Sequence, residues 1–104
     1  MPSSTVHVIS RKALIDFWTV HAQTRASLSA WYRIVSEARF TDFASVRRTF
    51  NSADVLARDC VVFNANSFRI VAAINYNRGK LYVRHVFTHA EYDRWSTRLK
   101  KGLP

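Results

Sequence analysis

Between residues 68 and 87 the sequence reads FRIVAAINYNRGKLYVRHVF, two alternating segments separated by a short turn signal. From Phe68 to Tyr76, and again from Lys80 to Phe87, side chains of one character recur at every second position. This is the period of a β-strand that buries one of its two faces. The residues between the segments, 77–79, read NRG and are typical of a tight turn. The stretch therefore predicts an antiparallel β-hairpin.

Strict alternation assigns each side chain of this hairpin to one of two faces. The apolar face, which we expect to pack on helices, comprises Phe68, Ile70, Ile74, Leu81, Val83, His85 and Phe87. The opposite face comprises Arg69, Asn75, Tyr82 and Arg84. If the two strands are neighbours, the guanidinium groups of Arg69 and Arg84 approach each other. Guanidinium groups match phosphate oxygens through paired donors, so this face is a candidate anion site.

Upstream of the hairpin, two segments show the spacing of amphipathic helices. One apolar stripe runs from Leu14 to His21, and a second runs from Leu28 to Val35, each at positions i, i+3, i+4 and i+7. The short break around residues 23–27 predicts an antiparallel helix hairpin. Asp42 is placed to cap a short third helix.

The remaining elements complete an α+β domain. Residues 6–9 predict a first strand, and the apolar run 60–63 predicts another. Thr88 and Glu91 form an S/T-x-x-E capping box, so a short C-terminal helix should begin at His89. We expect a mainly antiparallel sheet with the helices, above all the helix hairpin, packed on one face.

Length and composition limit the possible classes of protein. The 104 residues, 48% of them hydrophobic, suit one domain spanning 1–104. Seven Phe, four Tyr and three Trp argue against disorder, and two Gly exclude a glycine-rich phosphate loop. The net charge of +9 indicates a polyanion or an acidic protein as partner, although a generally basic surface without a specific ligand is also compatible with it.

The sequence predicts no membrane segment, metal site or cofactor. No apolar run approaches the roughly 20 residues that span a bilayer, and residues 1–10 do not resemble a signal peptide. A single cysteine, Cys60, is typical of a chain in the reducing cytoplasm. Neither it nor the four histidines belong to a cluster with the spacing of zinc ligands.

The polar end of the hairpin combines groups that suit metal-free cleavage of RNA. Arg69 and Arg84 would be joined there by His89 and Tyr92 in the first turn of the last helix. In such a reaction the ribose 2′-hydroxyl attacks the adjacent phosphate, and cations with helix N–H groups stabilise the developing charge. An imidazole moves protons near neutral pH. Which group acts as acid and which as base is not set by the sequence.

Several segments resemble HigB toxins. They are VISRKAL at 8–14, VVFN at 61–64, YVR at 82–84 and, most specifically, THAEYD at 88–93. The resemblance implies a RelE-like fold and a type II toxin that cleaves mRNA at the ribosome. It also implies a HigA-like helix-turn-helix antitoxin as partner. The toxin would reach operator DNA only through the antitoxin complex.

By position, the resemblance assigns the active site to Arg69, Arg84, His89 and Tyr92. It also makes four further basic residues plausible RNA contacts, namely Arg11, Lys12, Arg78 and Lys80.

Two other functional hypotheses remain compatible with the sequence. One is a non-catalytic module, either a basic RNA-binding domain or a degenerate toxin kept as an antitoxin-bound corepressor. Ala73, where many HigB sequences have a lysine, favours this reading slightly. The other is a partner-binding protein whose positive charge matches an acidic chain.

Overall fold

The computed structural model describes residues 6–57, 60–65 and 68–100. Its elements are β1 (His7–Ile9), α1 (Arg11–Val20), a 3-10 turn (Ala22–Thr24), α2 (Arg25–Glu37), α3 (Phe43–Thr49), β2 (Asp54–Ala57), β3 (Cys60–Asn64), β4 (Arg69–Asn75), β5 (Lys80–Phe87) and α4 (His89–Lys100). This order confirms the predicted α+β class and adds one strand, β2, that the sequence did not predict. Within the described ranges, no helix is long and apolar enough to cross a bilayer.

The five strands form one sheet in the order β1-β5-β4-β3-β2. β1 runs parallel to β5, and the other three neighbouring pairs are antiparallel. The predicted hairpin is present as β4 and β5, which close where Asn75 pairs with Lys80. Gly79 in the turn has a φ of 64°, a left-handed conformation that glycine adopts without steric cost. The mainly antiparallel sheet is thus confirmed.

One face of the sheet carries the main hydrophobic core. The predicted helix hairpin, α1 and α2, packs there, and its stripe residues Leu14, Leu28 and Val35 are fully buried. From the sheet, Ile70 and Leu81 enter the same cluster and are fully buried as well. The helical spacing in the sequence therefore identified the buried face of each helix correctly. The capping role expected of Asp42 is also confirmed, because its carboxylate accepts the Ser45 N–H at 2.9 Å.

A β-bulge in β5 changes the face of every residue that follows it. Val83 pairs with Ala72 and His85 pairs with Val71, so Arg84 is an extra residue without a counterpart in β4. Paired residues point to the same face, and Val71 lies on the face opposite the main core. The expectation that His85 and Phe87 point into the core is therefore wrong. A strict two-residue period cannot include the one-residue insertion that the bulge introduces.

The C-terminal helix begins at His89, as predicted, but lies on the outer face of the sheet, opposite the main core. The Trp95 ring lies with its centroid 5.2 Å from His85 and 5.4 Å from Phe87. These contacts show that α4 covers the face to which the bulge directs both side chains. The expectation that all helices share one face is wrong for α4. Its Trp95 packs on His85 and Phe87, and the bulge places both of these rings on the outer face.

Candidate active site

The first residue of β4 and the first residue of α4 meet at a backbone carbonyl. Arg69 Nη1 donates a hydrogen bond to the Ala65 carbonyl oxygen at 2.9 Å. His89 Nε2 lies 3.0 Å from Arg69 Nη1 and 3.0 Å from the same carbonyl oxygen. Two of the residues singled out from the sequence, twenty positions apart, are therefore in direct contact.

This three-atom arrangement gives the imidazole two alternative hydrogen bonds. A guanidinium group can only donate, so Arg69 bonds to Nε2 when that nitrogen is unprotonated. A protonated Nε2 donates instead to the Ala65 carbonyl and faces the guanidinium as a second donor. The geometry thus holds one ring nitrogen of His89 in a fixed place where it can accept and release a proton.

A capping box fixes the start of α4, on which His89 lies. The Thr88 N–H donates to Glu91 Oε1 at 2.8 Å, and the Glu91 N–H donates to Thr88 Oγ1 at 3.2 Å. This reciprocal pair satisfies two backbone donors at the helix end and confirms the predicted cap. The carboxylate of Glu91 is thereby engaged in positioning the helix.

Tyr92 lies one helical turn after His89 and is half-buried. Burial raises the pKa of its phenol, the nearby Arg69 cation opposes that rise, and the carboxylates of Asp54 and Asp93 add to it. The phenol therefore stays protonated at neutral pH and can donate. Asp54 was not anticipated from the sequence, because its strand, β2, was not predicted. Its carboxylate accepts a hydrogen bond from the Asn64 side-chain amide at 3.2 Å.

Arg84 is set apart from this group by the bulge. In the β4–β5 ladder Arg69 lies opposite Phe87, which follows Arg84 by three positions. At roughly 3.3 Å per residue this offset is about 10 Å along the strand. Arg84 lines two grooves, one against α1 and one against α4, and neither is lined by Arg69 or His89. The strands are neighbours, as expected, but the two arginines do not form a facing pair.

The four predicted RNA contacts lie elsewhere. The Arg11 guanidinium stacks 4.7 Å from the centroid of the Tyr32 ring. Lys12 Nζ forms an exposed ion pair with Asp16 at 2.8 Å, and this hydrogen bond raises the pKa of the lysine. The remaining two, Arg78 and Lys80, lie at the turn that closes the far end of β4 from Arg69. The structure does not bring any of these four next to His89.

No three metal-binding side chains of the types His, Cys, Asp and Glu gather in the part of the chain that the structure describes. The single cysteine, Cys60, is half-buried in β3. The charged group in contact with His89 is instead the guanidinium of Arg69. This composition suits binding of an anion such as a phosphodiester.

A family model described as HigB toxin, RelE-like toxic component of a toxin-antitoxin system, matches residues 24–95. The chain belongs to the HigB toxin family. Among curated relatives, the mRNA interferase toxin HigB of Escherichia coli strain K12 is 33% identical over 92 residues, covering 85% of this chain and 88% of that protein. The mRNA interferase HigB of Shigella flexneri matches with the same identity and coverage.

Among solved structures, the toxin–antitoxin complex RelBE2 from Mycobacterium tuberculosis contains a chain with a TM-score of 0.47 and 14% sequence identity. The match covers 85% of this chain and 100% of that chain. The residues matched by the HigB family model, 24–95, include Arg69, Arg84, His89 and Tyr92, whereas Arg11 and Lys12 lie outside them.

Proposed function

We propose that this HigB-family protein is an mRNA endoribonuclease, acting as the toxin of a toxin–antitoxin pair, and that residues 1–104 form a single toxin domain. The names of the curated relatives, mRNA interferases at 33% identity, support the activity. The structural observation that carries the proposal is the contact between Arg69 and His89 at the start of α4. A fixed cation beside a proton-accepting imidazole suits phosphodiester cleavage.

In the proposed reaction the ribose 2′-oxygen attacks the adjacent phosphorus, and the bond to the 5′-oxygen of the next nucleotide breaks. Arg69 turns its guanidinium from His89 Nε2 to the phosphate, and the freed Nε2 takes the proton from the 2′-hydroxyl. Tyr92, whose raised pKa keeps it protonated, gives a proton to the leaving 5′-oxygen. The products are a 2′,3′-cyclic phosphate and a 5′-hydroxyl, so atoms and charge balance.

Charge on the phosphorane oxygens is stabilised by the chain itself in this scheme. Arg69 provides a guanidinium beside the imidazole. The N–H groups in the first turn of α4 point out of the helix end at which His89 lies. Because these groups supply the positive charge, we propose that cleavage uses no metal ion or cofactor. Cleavage of RNA free of ribosomes, which themselves need Mg²⁺, should then proceed at the same rate in excess EDTA.

The partners follow from the same proposal. Membership of a family of toxins from toxin–antitoxin systems supports an antitoxin as the protein partner. We propose that this antitoxin is a HigA-like helix-turn-helix protein. Operator DNA would be bound only through that complex. The net charge of +9 supports an RNA substrate, which we propose is mRNA on the ribosome in the cytoplasm.

The proposal is tested by inducing the wild-type protein in cells and mapping 5′ ends of cellular mRNA by primer extension. We expect growth arrest and discrete new 5′ ends. His89→Ala and Arg69→Ala should abolish both while retaining the thermal stability of the wild type. The matched control is His7→Ala, since His7 is exposed on β1. Bound but intact mRNA after wild-type induction would contradict the proposal and favour the non-catalytic RNA-binding module.

A further inference from the structure

The space between the two separated arginines is occupied by stacked aromatic rings on the outer face of β5. Phe87 lies opposite Arg69 in the ladder, and His85 stacks on Phe87 with centroids 4.9 Å apart and an interplanar angle of 12°. Trp95 from α4 contacts both rings. A continuous aromatic surface therefore begins beside Arg69 and ends at His85, next to Arg84 in the chain.

A groove of about 330 Å³ opens between α4 and this face of the sheet. We call it the α4 groove; its lining includes Arg84, His85, Trp95, Val71 and Leu99. His85 and Leu99 are exposed, so solvent reaches one side of the groove, whereas Val71 is buried below it. Its walls thus offer aromatic and aliphatic surface with one guanidinium.

The charge distribution of the α4 groove matches a nucleotide. Partial burial of the His85 ring, and after it the neighbouring Arg84 cation, lowers the pKa of the imidazole, which is therefore uncharged near neutral pH. Of the described residues that line the groove, Arg84 alone carries a charge at that pH. A neutral aromatic ring beside a fixed cation is the pairing with which proteins hold a base and its phosphate in single-stranded RNA.

Building on the proposed function, we propose that the α4 groove is a nucleobase subsite of the endoribonuclease. A base stacks on His85 and Trp95, and Arg84 binds the phosphate of that nucleotide. Arg69 binds the neighbouring phosphate, the one that is cleaved. Arg84 lines the α4 groove, whereas Arg69 is held beside Ala65 and His89 outside that lining, which supports two adjacent phosphates in place of one shared phosphate. Single-stranded mRNA, whose bases are free to splay out, is the occupant that fits both cations and rings.

The test is a binding cycle on RNA that cannot be cleaved. A set of RNA tetranucleotides is made with a 2′-O-methyl group at every position, one member with all bases intact and each other member with one abasic position. Affinity is measured by fluorescence anisotropy for the wild type and for His85→Ala. With intact bases, we expect His85→Ala to weaken binding about 10-fold, within the range measured for loss of one stacked base. One tetranucleotide of the set lacks the base that stacks on His85. For that tetranucleotide, His85→Ala should change the affinity less than twofold.

Two further variants keep the result interpretable. His85→Phe retains an aromatic ring and should bind like the wild type, whereas His7→Ala removes an exposed imidazole outside the groove and should have no effect. Thermal unfolding of each variant confirms that the fold is intact. If His85→Ala weakens all tetranucleotides equally, or none, the proposal is overturned. Equal affinity of the wild type for intact and abasic RNA also overturns it and leaves the groove to a protein partner.

The outcome separates this subsite from the proposed activity. Normal cleavage of mRNA together with unaltered binding by His85→Ala would overturn the subsite and leave the endoribonuclease in place. If His85→Ala weakens binding of the intact tetranucleotide but not of one abasic tetranucleotide, while the wild type does not cleave mRNA, the proposed activity is overturned and a base-binding groove remains.

Discussion

Arg69 Nη1 and His89 Nε2 lie 3.0 Å apart although the two residues are twenty positions apart in the chain, Arg69 at the start of β4 and His89 just after the end of β5. The contact exists because β5 runs back along β4, so that its last residue, Phe87, pairs with Arg69 and the next helix starts beside that pair. The Ala65 carbonyl oxygen accepts a hydrogen bond from Arg69 and lies 3.0 Å from His89 Nε2. The hairpin topology therefore creates the candidate active site.

The protonation pattern of His89 follows directly from this contact. Because Arg69 donates to Nε2, the neutral ring should carry its proton on Nδ1. ¹⁵N NMR at pH 8 should therefore show His89 mainly as the Nδ1–H tautomer, and Arg69→Ala should shift it toward Nε2–H bonded to the Ala65 carbonyl. An Nε2–H tautomer already dominant in the wild type would show that Arg69 does not hold the ring nitrogen.

Glu91 is predicted to act as a helix cap and not as a catalyst. Glutamine can accept the same Thr88 N–H, so Glu91→Gln should retain cleavage of mRNA and thermal stability. Thr88→Ala removes the other half of the box and should cost roughly 1 kcal/mol of the free energy of unfolding. Denaturant unfolding and primer extension measure the two effects. A large loss of cleavage in a stable Glu91→Gln variant would give the carboxylate a chemical role.

The sequence predicted those parts of the fold whose signals are local and regular. Helical spacing located the buried residues of α1 and α2, and the capping box located the start of α4. The hairpin predicted that His89 would lie near Arg69, whereas the expected approach of Arg84 to Arg69 was wrong. Regular hydrophobic periodicity and helix-capping residues are thus sufficient to predict most of the helices and strands from the sequence.

The features that the sequence did not predict depend on tertiary pairing. The strand β2 is a short edge strand, and within the described residues it pairs with β3 alone. The bulge at Arg84 leaves no mark in the alternation of residue types, yet it turns His85 and Phe87 to the outer face. The α4 groove was therefore not predictable, because its floor and walls depend on that one inserted residue.

His85 should make the protein less stable in acid. Its pKa is lowered in the fold, chiefly by burial and then by Arg84, so the folded state binds a proton less readily than the unfolded chain. The contribution of the neutral imidazole to the free energy of unfolding is fully present above the pKa of the unfolded chain, about 6.5. It is lost as the pH falls from there through the lowered pKa of the folded state. Melting temperatures measured between pH 8 and 5 should fall less steeply for His85→Phe than for the wild type. Identical slopes would contradict this account.

Arg84 should contribute one phosphate contact to RNA binding. For single-stranded RNA, each phosphate contact adds about 0.7 to the slope of log K against log salt concentration. Arg84→Ala should therefore lower that slope by about 0.7 for an uncleavable oligonucleotide, at unchanged melting temperature. The control Arg48→Ala removes an exposed cation on α3, far from the site in the chain, and should leave the slope unaltered. An equal change in both variants would reveal only a general effect of charge.

Arg69 should stabilise the transition state of cleavage, and the cleavage rate of an Arg69 variant tests this role. Removal of a single donor to a developing oxyanion costs about 10²–10³ in rate, so Arg69→Ala should reduce cleavage by at least about 100-fold. The matched Arg48→Ala variant should cleave like the wild type, and both variants should keep the wild-type melting temperature.

The measurement is the single-turnover cleavage rate of an mRNA on programmed ribosomes, with the products analysed by mass spectrometry. We expect the wild type and Arg48→Ala to produce a 2′,3′-cyclic phosphate end. A folded Arg69→Ala variant should cleave at least about 100-fold more slowly. Cleavage by Arg69→Ala at the wild-type rate would contradict this role of Arg69.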